Sequence, residues 1–217
     1  MGRTRPTYHD HRGRPGRRPS RRFLVVCEGQ TEKAYFDHLR QALRGAVVVK
    51  ATRDKSSPQS VVDLAVKYRM GDAMRGTEAD AYDEVWAAMD WDGRTDEVRQ
   101  AMSLAARSGV KVALSNPCFE VWLLWHFTDF MATSADRSAV DERLSRLWPT
   151  YVKGKSADFA KLPADGHVRA IARACQAATE HDRAGRAFPD DLPSSGNGLL
   201  VQHIAEAAAR SKGLTSG

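Results

Sequence analysis

The chain has 217 residues and a hydrophobic content of 42%, which is enough to bury one substantial core. No run of about eighteen apolar residues occurs, and the arginine-rich N-terminus lacks the apolar stretch of a secretory signal. These features argue against a membrane protein and a secreted protein, so the cytoplasm is expected. Cys27, Cys118 and Cys175 follow no metal-ligand spacing, which argues against a zinc site and against disulfides.

The formal charge of +6 is unevenly distributed along the chain. Residues 1–22 contain eight arginines and one acid, a charge of +7, so the other 195 residues together carry −1. Because this leader also contains several prolines and glycines, it is expected to be disordered. Its basic residues either keep the chain soluble or bind the phosphates of a nucleic acid, and the candidates are Arg17, Arg18, Arg21 and Arg22.

The first half of the chain alternates between strand and helix patterns. Strands are predicted at 22–28, 46–51, 83–89 and 110–115, and helices at 31–44 (capped by Thr31), 58–70 and 95–108. Short connections between alternating strands and helices favour a mostly parallel sheet with helices on both faces.

The second half shows helix patterns only. An almost entirely apolar helix is predicted at 117–127, with Asn116 as its N-cap, and further helices follow around 135–148, 166–181 and 198–211. We therefore predict an α/β protein with a disordered leader at 1–22, an α/β core at 23–130 and a helical subdomain at 131–217 packed on the core.

Acidic residues follow two of the predicted strands. Glu28 ends the first strand, and Asp90 and Asp92 follow the third. Because parallel strands present their C-terminal ends at one edge, these carboxylates should share that edge, with Asp90 and Asp92 pointing to the same side of an extended chain. No basic partner is obvious, so a hard divalent cation such as Mg²⁺ is the expected counter-charge. The alternative is that these acids are ordinary helix caps or loop residues.

A fourth acid, Glu120, lies on the predicted apolar helix within SNPCFEVWLLWHF. A buried carboxylate needs a cation, a donor or solvent, which predicts that Glu120 faces the same edge, one helical turn from Asn116. The helix dipole, which favours a glutamate in the first turn, is an equally good explanation. Further along, Lys153 and Lys155 either contact a phosphate backbone or form a solvated basic turn.

Several stretches resemble known families. Glu-Gly after the first strand and Asp-x-Asp after the third resemble the Toprim domain of topoisomerases, primases and overcoming-lysogenization-defect nucleases. More closely, VCEGQTEKAYF, MDWDGR, SNPCFEVWLLWHF, YVKGKSADF and LPSSGNGLLVQHI resemble the RloB-like family, often encoded in bacterial restriction and phage-defence loci. This resemblance covers residues 23 to about 205. One departure is that the late Pro-Ser-Thr of the family is Pro193-Ser194-Ser195 here.

The resemblance implies metal-dependent phosphodiester hydrolysis with Mg²⁺, or Mn²⁺ in its place. Glu28, Asp90 and Asp92 would correspond to the catalytic and metal-binding acids, and Glu32, Asn116 and Glu120 to family motif residues in supporting roles. It further implies DNA or RNA, including tRNA, as substrate and a separately encoded ATPase as partner; a homodimer is left open. The rival interpretation is a non-catalytic nucleic-acid-binding or sensor subunit of the same fold.

Overall fold

The structure is a computed structural model that describes residues 21–43, 48–53, 57–74, 82–131, 136–153 and 159–213. Within these ranges the strands are β1 Arg22–Cys27, β2 Val48–Arg53, β3 Glu84–Asp90, β4 Lys111–Asn116 and β5 Ser194–Ser195. The α-helices are α1 Gln30–Ala42, α2 Pro58–Met74, α3 Thr95–Arg107, α4 Glu120–Phe127, α5 Arg137–Leu147, α6 Gly166–Arg183 and α7 Asn197–Gly213. A short 3-10 helix, Phe159–Lys161, lies between α5 and α6.

The five described strands form one sheet in the order β2-β1-β3-β4-β5. The first four are mutually parallel, with Cys27 opposite both Arg53 and Ala88, and Asp90 opposite Ser115. Their C-terminal ends therefore meet at one edge of the sheet. The predicted α/β class with a mostly parallel sheet is confirmed, and the architecture is consistent with a Toprim-like fold.

Helices cover both faces of the sheet because the central strands are apolar on both sides. Leu24 and Val26 of β1 pack in one hydrophobic cluster with residues of α2 and α3. The alternate residues Phe23 and Val25 point to the opposite face and pack in a second cluster with residues of α1 and of α4 to α7. The helices of the second half thus share a core with the sheet, and the division into a core and a helical subdomain stays a prediction.

The second half contains a strand that was not predicted. Ser194 and Ser195 form β5, which pairs antiparallel with the end of β4. The adjoining Gly196 amide donates to the Leu114 carbonyl at 2.7 Å. A two-residue strand carries no periodicity, so a hydrophobic pattern could not indicate it.

Two predicted helix starts are wrong. Asn116 is the last residue of β4 rather than an N-cap, and α4 begins only at Glu120, because the Pro117 carbonyl accepts the Asp92 amide at 3.2 Å instead of a helical partner. At α1 the helix begins at Gln30, and Gly29 rather than Thr31 is its N-cap. The remaining predicted elements are present, with ends that differ by a few residues.

Other expectations about the chain have mixed outcomes. All three cysteines are free, with Cys27 and Cys118 buried and Cys175 exposed. No helix in the described ranges is long and apolar enough to cross a membrane. The predicted disorder of the leader concerns residues that lie almost wholly outside the described ranges, which begin at residue 21.

Candidate active site

A cavity of about 160 Å³ lies at the edge of the sheet where the parallel strands end. Five carboxylates line it: Glu28, Glu32, Asp90, Asp92 and Glu120. Two cationic side chains, Arg137 and Lys153, line it as well. We call this site the acidic cavity. The predicted convergence of acids from β1, β3 and the apolar helix is therefore observed.

Glu28 is held at the cavity by β3 and by the start of α3. Its amide donates to the Ala88 carbonyl at 3.0 Å, and its Oε2 accepts the Asp90 amide at 3.3 Å. Arg94, the residue before α3, donates from Nη2 to Glu28 Oε1 at 2.6 Å. Glu28 thus joins two neighbouring strands and an arginine, which fixes the position of its carboxylate.

Asp90 and Asp92 face the same cation, but not for the predicted reason. Asp92 is not extended: its φ of 48° lies in the left-handed region, followed by Gly93 at 76°. This turn still brings the two carboxylates together, since Arg137 Nη2 lies 3.0 Å from Asp90 Oδ2 and 2.8 Å from Asp92 Oδ1. Aspartate is one of the few non-glycine residues that adopt this conformation readily, which explains why the turn can place a carboxylate here.

Glu120 is almost completely buried but has two donors. Tyr151 Oη donates to its Oε1 at 2.8 Å, and Lys153 Nζ donates to its Oε2 at 3.1 Å. Burial would raise the pKa of Glu120, but Lys153 and Tyr151 outweigh it and hold the pKa below its ordinary value. Glu120 therefore remains a carboxylate at neutral pH.

Asp90 and Glu32 differ from Glu120 in that their pKa values are raised. Burial, followed by the charges of Glu32, Glu120 and Asp92, raises the pKa of Asp90 well above its usual range. Burial is also the main reason that the pKa of Glu32 rises to about 7. Glu32 lies over Gly29, where a Cβ would overlap its carboxylate, so the glycine of the Glu-Gly pair makes room for this side chain.

The expectation that the acids lack basic partners is wrong. Arg94 and Arg137 form salt bridges with the strand-end carboxylates, and Lys153 does so with Glu120. Arg94 belongs to the MDWDGR motif, two residues after Asp92, so the sequence could have indicated it as a basic partner of the acids. The sequence gives no such indication for Arg137, because it lies 47 residues from Asp90.

The other predicted site residues lie elsewhere. Asn116 is buried outside the cavity lining, where its side-chain amide donates to Pro189 and Asp191. Arg21 and Arg22 lie at the opposite, N-terminal edge of the sheet: Arg21 pairs with Glu84, and Arg22 stacks on Tyr82. Arg17, Arg18 and Lys155 fall outside the described residues.

The fit of a divalent cation can be judged from the donors. Oδ1 of Asp90 is buried and has no hydrogen-bond partner, and the lining supplies carboxylate oxygens, the donors that Mg²⁺ prefers. Within the described ranges, however, no three His, Cys, Asp or Glu side chains are arranged as a ready-made metal cage. The donor chemistry suits a hard cation at Asp90, on the condition that Arg137 moves away from Asp90 and Asp92.

A family model described as RloB-like protein matches residues 23–204, most of the chain. The chain belongs to the RloB-like family. The matched span of this RloB-like chain contains every residue of the acidic cavity and excludes the arginine-rich leader. No curated protein and no solved structure matches it significantly.

Proposed function

We propose that this RloB-like chain is a divalent-metal-dependent nuclease. It would hydrolyse phosphodiester bonds in DNA or RNA, tRNA included, in the cytoplasm of a bacterium as part of defence against phages. The observation that carries the proposal is the acidic cavity, in which five carboxylates meet and Asp90 keeps one buried oxygen without a partner. Repulsion among these acids costs free energy, and the described partners Arg94, Arg137 and Lys153 supply fewer positive charges than the five acids can carry negative ones. The defence setting rests on the family resemblance alone.

The residues of the cavity have distinct roles in this proposal. Glu28, Asp90 and Asp92 are the residues that would hold Mg²⁺ or Mn²⁺. A bound ion of this type supplies an activated water and stabilises charge on the leaving oxygen. Glu32, with a pKa of about 7, can hold or release a proton at neutral pH, as a general acid or base must. Lys153 adds positive charge for the substrate phosphate.

A second candidate is a non-catalytic nucleic-acid-binding or sensor subunit that acts with a separately encoded ATPase. The salt bridges of Arg94 and Arg137 favour it, because they already neutralise carboxylates that catalysis would need for a metal. The two candidates agree on nucleic acid as the partner. They differ in whether the carboxylates take part in bond cleavage.

Substitution of Glu28 separates the two candidates. The wild type and Glu28→Gln are incubated with plasmid DNA, total RNA and tRNA, each with Mg²⁺, Mn²⁺ or EDTA. We expect metal-dependent cleavage by the wild type and a loss of at least about 100-fold in Glu28→Gln, which removes a charged oxygen at nearly constant shape. Glu142→Gln is the matched control, because Glu142 is exposed on α5, pairs with Arg146 and does not line the cavity.

Further variants and outcomes decide the assignment. Asp92→Asn should lose cleavage as Glu28→Gln does, and Glu120→Gln should lose less if Glu120 only holds Tyr151 and Lys153 in place. Equal cleavage by the wild type and Glu28→Gln would contradict the catalytic role of the cavity. Nucleic-acid binding by both chains without cleavage by either would support the sensor subunit.

A further inference from the structure

Arg137 places its positive charge between Asp90 and Asp92. It is the first residue of α5, and its guanidinium reaches the end of β3, where one nitrogen bridges Asp90 and Asp92. Its side chain lines the cavity and is 36% exposed, while its Nε is buried and has no hydrogen-bond partner. Arg137 is therefore anchored at the two carboxylates and still accessible from the cavity.

The basic side chains described at the cavity do not balance its acids. Among the described residues, the five lining acids face three cations, Arg94, Arg137 and Lys153, so two negative charges are in excess whenever all five acids are ionised. A divalent cation on Asp90 and Asp92 would remove this excess. It would also take the oxygens that Arg137 now holds, because the same carboxylate oxygens cannot serve both cations at full strength.

A displaced Arg137 would need another anion. Arginine stays protonated at any pH that a folded protein tolerates, and the planar fork of its N–H groups matches the oxygens of a phosphate. The anion that reaches a metal site in a nuclease is the phosphodiester group of the substrate.

We propose that Arg137 is a phosphate-binding residue of the acidic cavity. In the structure Asp90 and Asp92 hold its guanidinium; with a divalent cation on those carboxylates, the guanidinium would pair with the phosphodiester group of the nucleic acid instead. This inference rests on the proposed function, since it requires a metal and a nucleic acid at the same site.

This exchange predicts that Arg137 affects metal binding and nucleic-acid binding in opposite directions. Without nucleic acid, Arg137 competes with the metal and weakens metal binding. With the metal in place, Arg137 strengthens nucleic-acid binding, so the metal and the nucleic acid should bind cooperatively, each raising the affinity of the other by the same factor. A residue that only supported the fold would not shift the two affinities in opposite directions.

The test measures both affinities in Arg137→Gln. Calorimetry with Mn²⁺ in the absence of nucleic acid should show roughly tenfold tighter binding than in the wild type. Fluorescence anisotropy measures the affinity for a labelled single-stranded oligonucleotide in EDTA and in Ca²⁺, which is used to limit cleavage. In the wild type, Ca²⁺ should raise this affinity. In Arg137→Gln, most of that Ca²⁺-dependent gain in affinity should be lost. Arg146→Gln is the matched control, because Arg146 lies on the same helix, 65% exposed and paired with Glu142.

Arg137→Lys is a second variant that keeps the inference testable if Arg137→Gln does not fold. It keeps the charge but not the planar fork, so it should bind Mn²⁺ about as the wild type does and lose part of the Ca²⁺-dependent gain in oligonucleotide affinity. Unchanged or weaker Mn²⁺ binding in Arg137→Gln, or full retention of that gain, would overturn the inference.

Cleavage assays on the same proteins keep the two proposals apart. If the wild type cleaves nucleic acid but Arg137→Gln shows neither shift in affinity, the nuclease function is supported and the proposed role of Arg137 is wrong. If both shifts occur and none of the proteins cleaves nucleic acid, the role of Arg137 in binding is supported and the nuclease function is wrong.

Discussion

Glu32 shows how burial sets the chemistry of one carboxylate. Its side chain is 5% exposed, and burial raises its pKa from an ordinary value of 4.5 to about 7. Between these two pH values the folded chain binds a proton more tightly than the unfolded chain does. The free energy of unfolding should therefore fall as the pH rises from about 4.5 to about 7, and remain lowered above it.

Glu32→Gln tests this pH dependence. Glutamine cannot ionise, so in EDTA the variant should be more stable than the wild type at pH 8, by on the order of 1–3 kcal/mol, and close to the wild type at pH 5. Urea unfolding at both pH values measures the difference. The exposed Glu142→Gln should show no such change, and an identical pH dependence of the wild type and Glu32→Gln would refute the assignment.

At the scale of elements, a close backbone approach fixes the last strand of the sheet. Gly196 follows β5, and a Cβ placed on it would lie 2.9 Å from Ala113 Cα and 3.0 Å from the Leu114 nitrogen. Both obstacles are backbone atoms of β4, which a rotamer change cannot move. The two-residue strand β5 can therefore pair with β4 only where a glycine comes next.

Gly196→Ala should push β5 away from β4. We expect a loss of about 1–3 kcal/mol in the free energy of unfolding, the usual cost of overpacking, measured by urea unfolding. Gly71→Ala is the matched control, since a Cβ at Gly71 within α2 meets nothing within 4 Å and should stabilise the helix by about 0.5–1 kcal/mol. Equal stability of Gly196→Ala and the wild type would show that β5 does not depend on this approach.

On the scale of the whole molecule, the start of the described chain and the acidic cavity lie at opposite edges of the sheet. Arg21 is held at the N-terminal edge by Glu84, which also accepts from Trp86, Lys111 and His203. The six residues of β1 separate this point from Glu28, a distance of about 20 Å.

Deletion of residues 1–20 tests the role of the leader in binding. The deletion removes six arginines, so the affinity for nucleic acid should fall. The slope of the logarithm of the association constant against the logarithm of the salt concentration should flatten by up to about 5. Mn²⁺ binding at the cavity should be unchanged. Replacing Arg17 and Arg18 by Gln should flatten the slope by up to about 2. An unchanged slope after the deletion would reduce the leader to a solubilising tail.

The sequence by itself determined the alternation of strands and helices and the position of acids after β1 and β3, because periodicity and chain order are local properties. From these, the parallel sheet and the meeting of Glu28, Asp90 and Asp92 at one edge could be predicted. Only the tertiary structure decided that β5 exists and that Arg137 reaches Asp90 across 47 residues. Such contacts depend on how β5 pairs with β4 and how α5 packs against α4, and no local pattern in the chain records that packing.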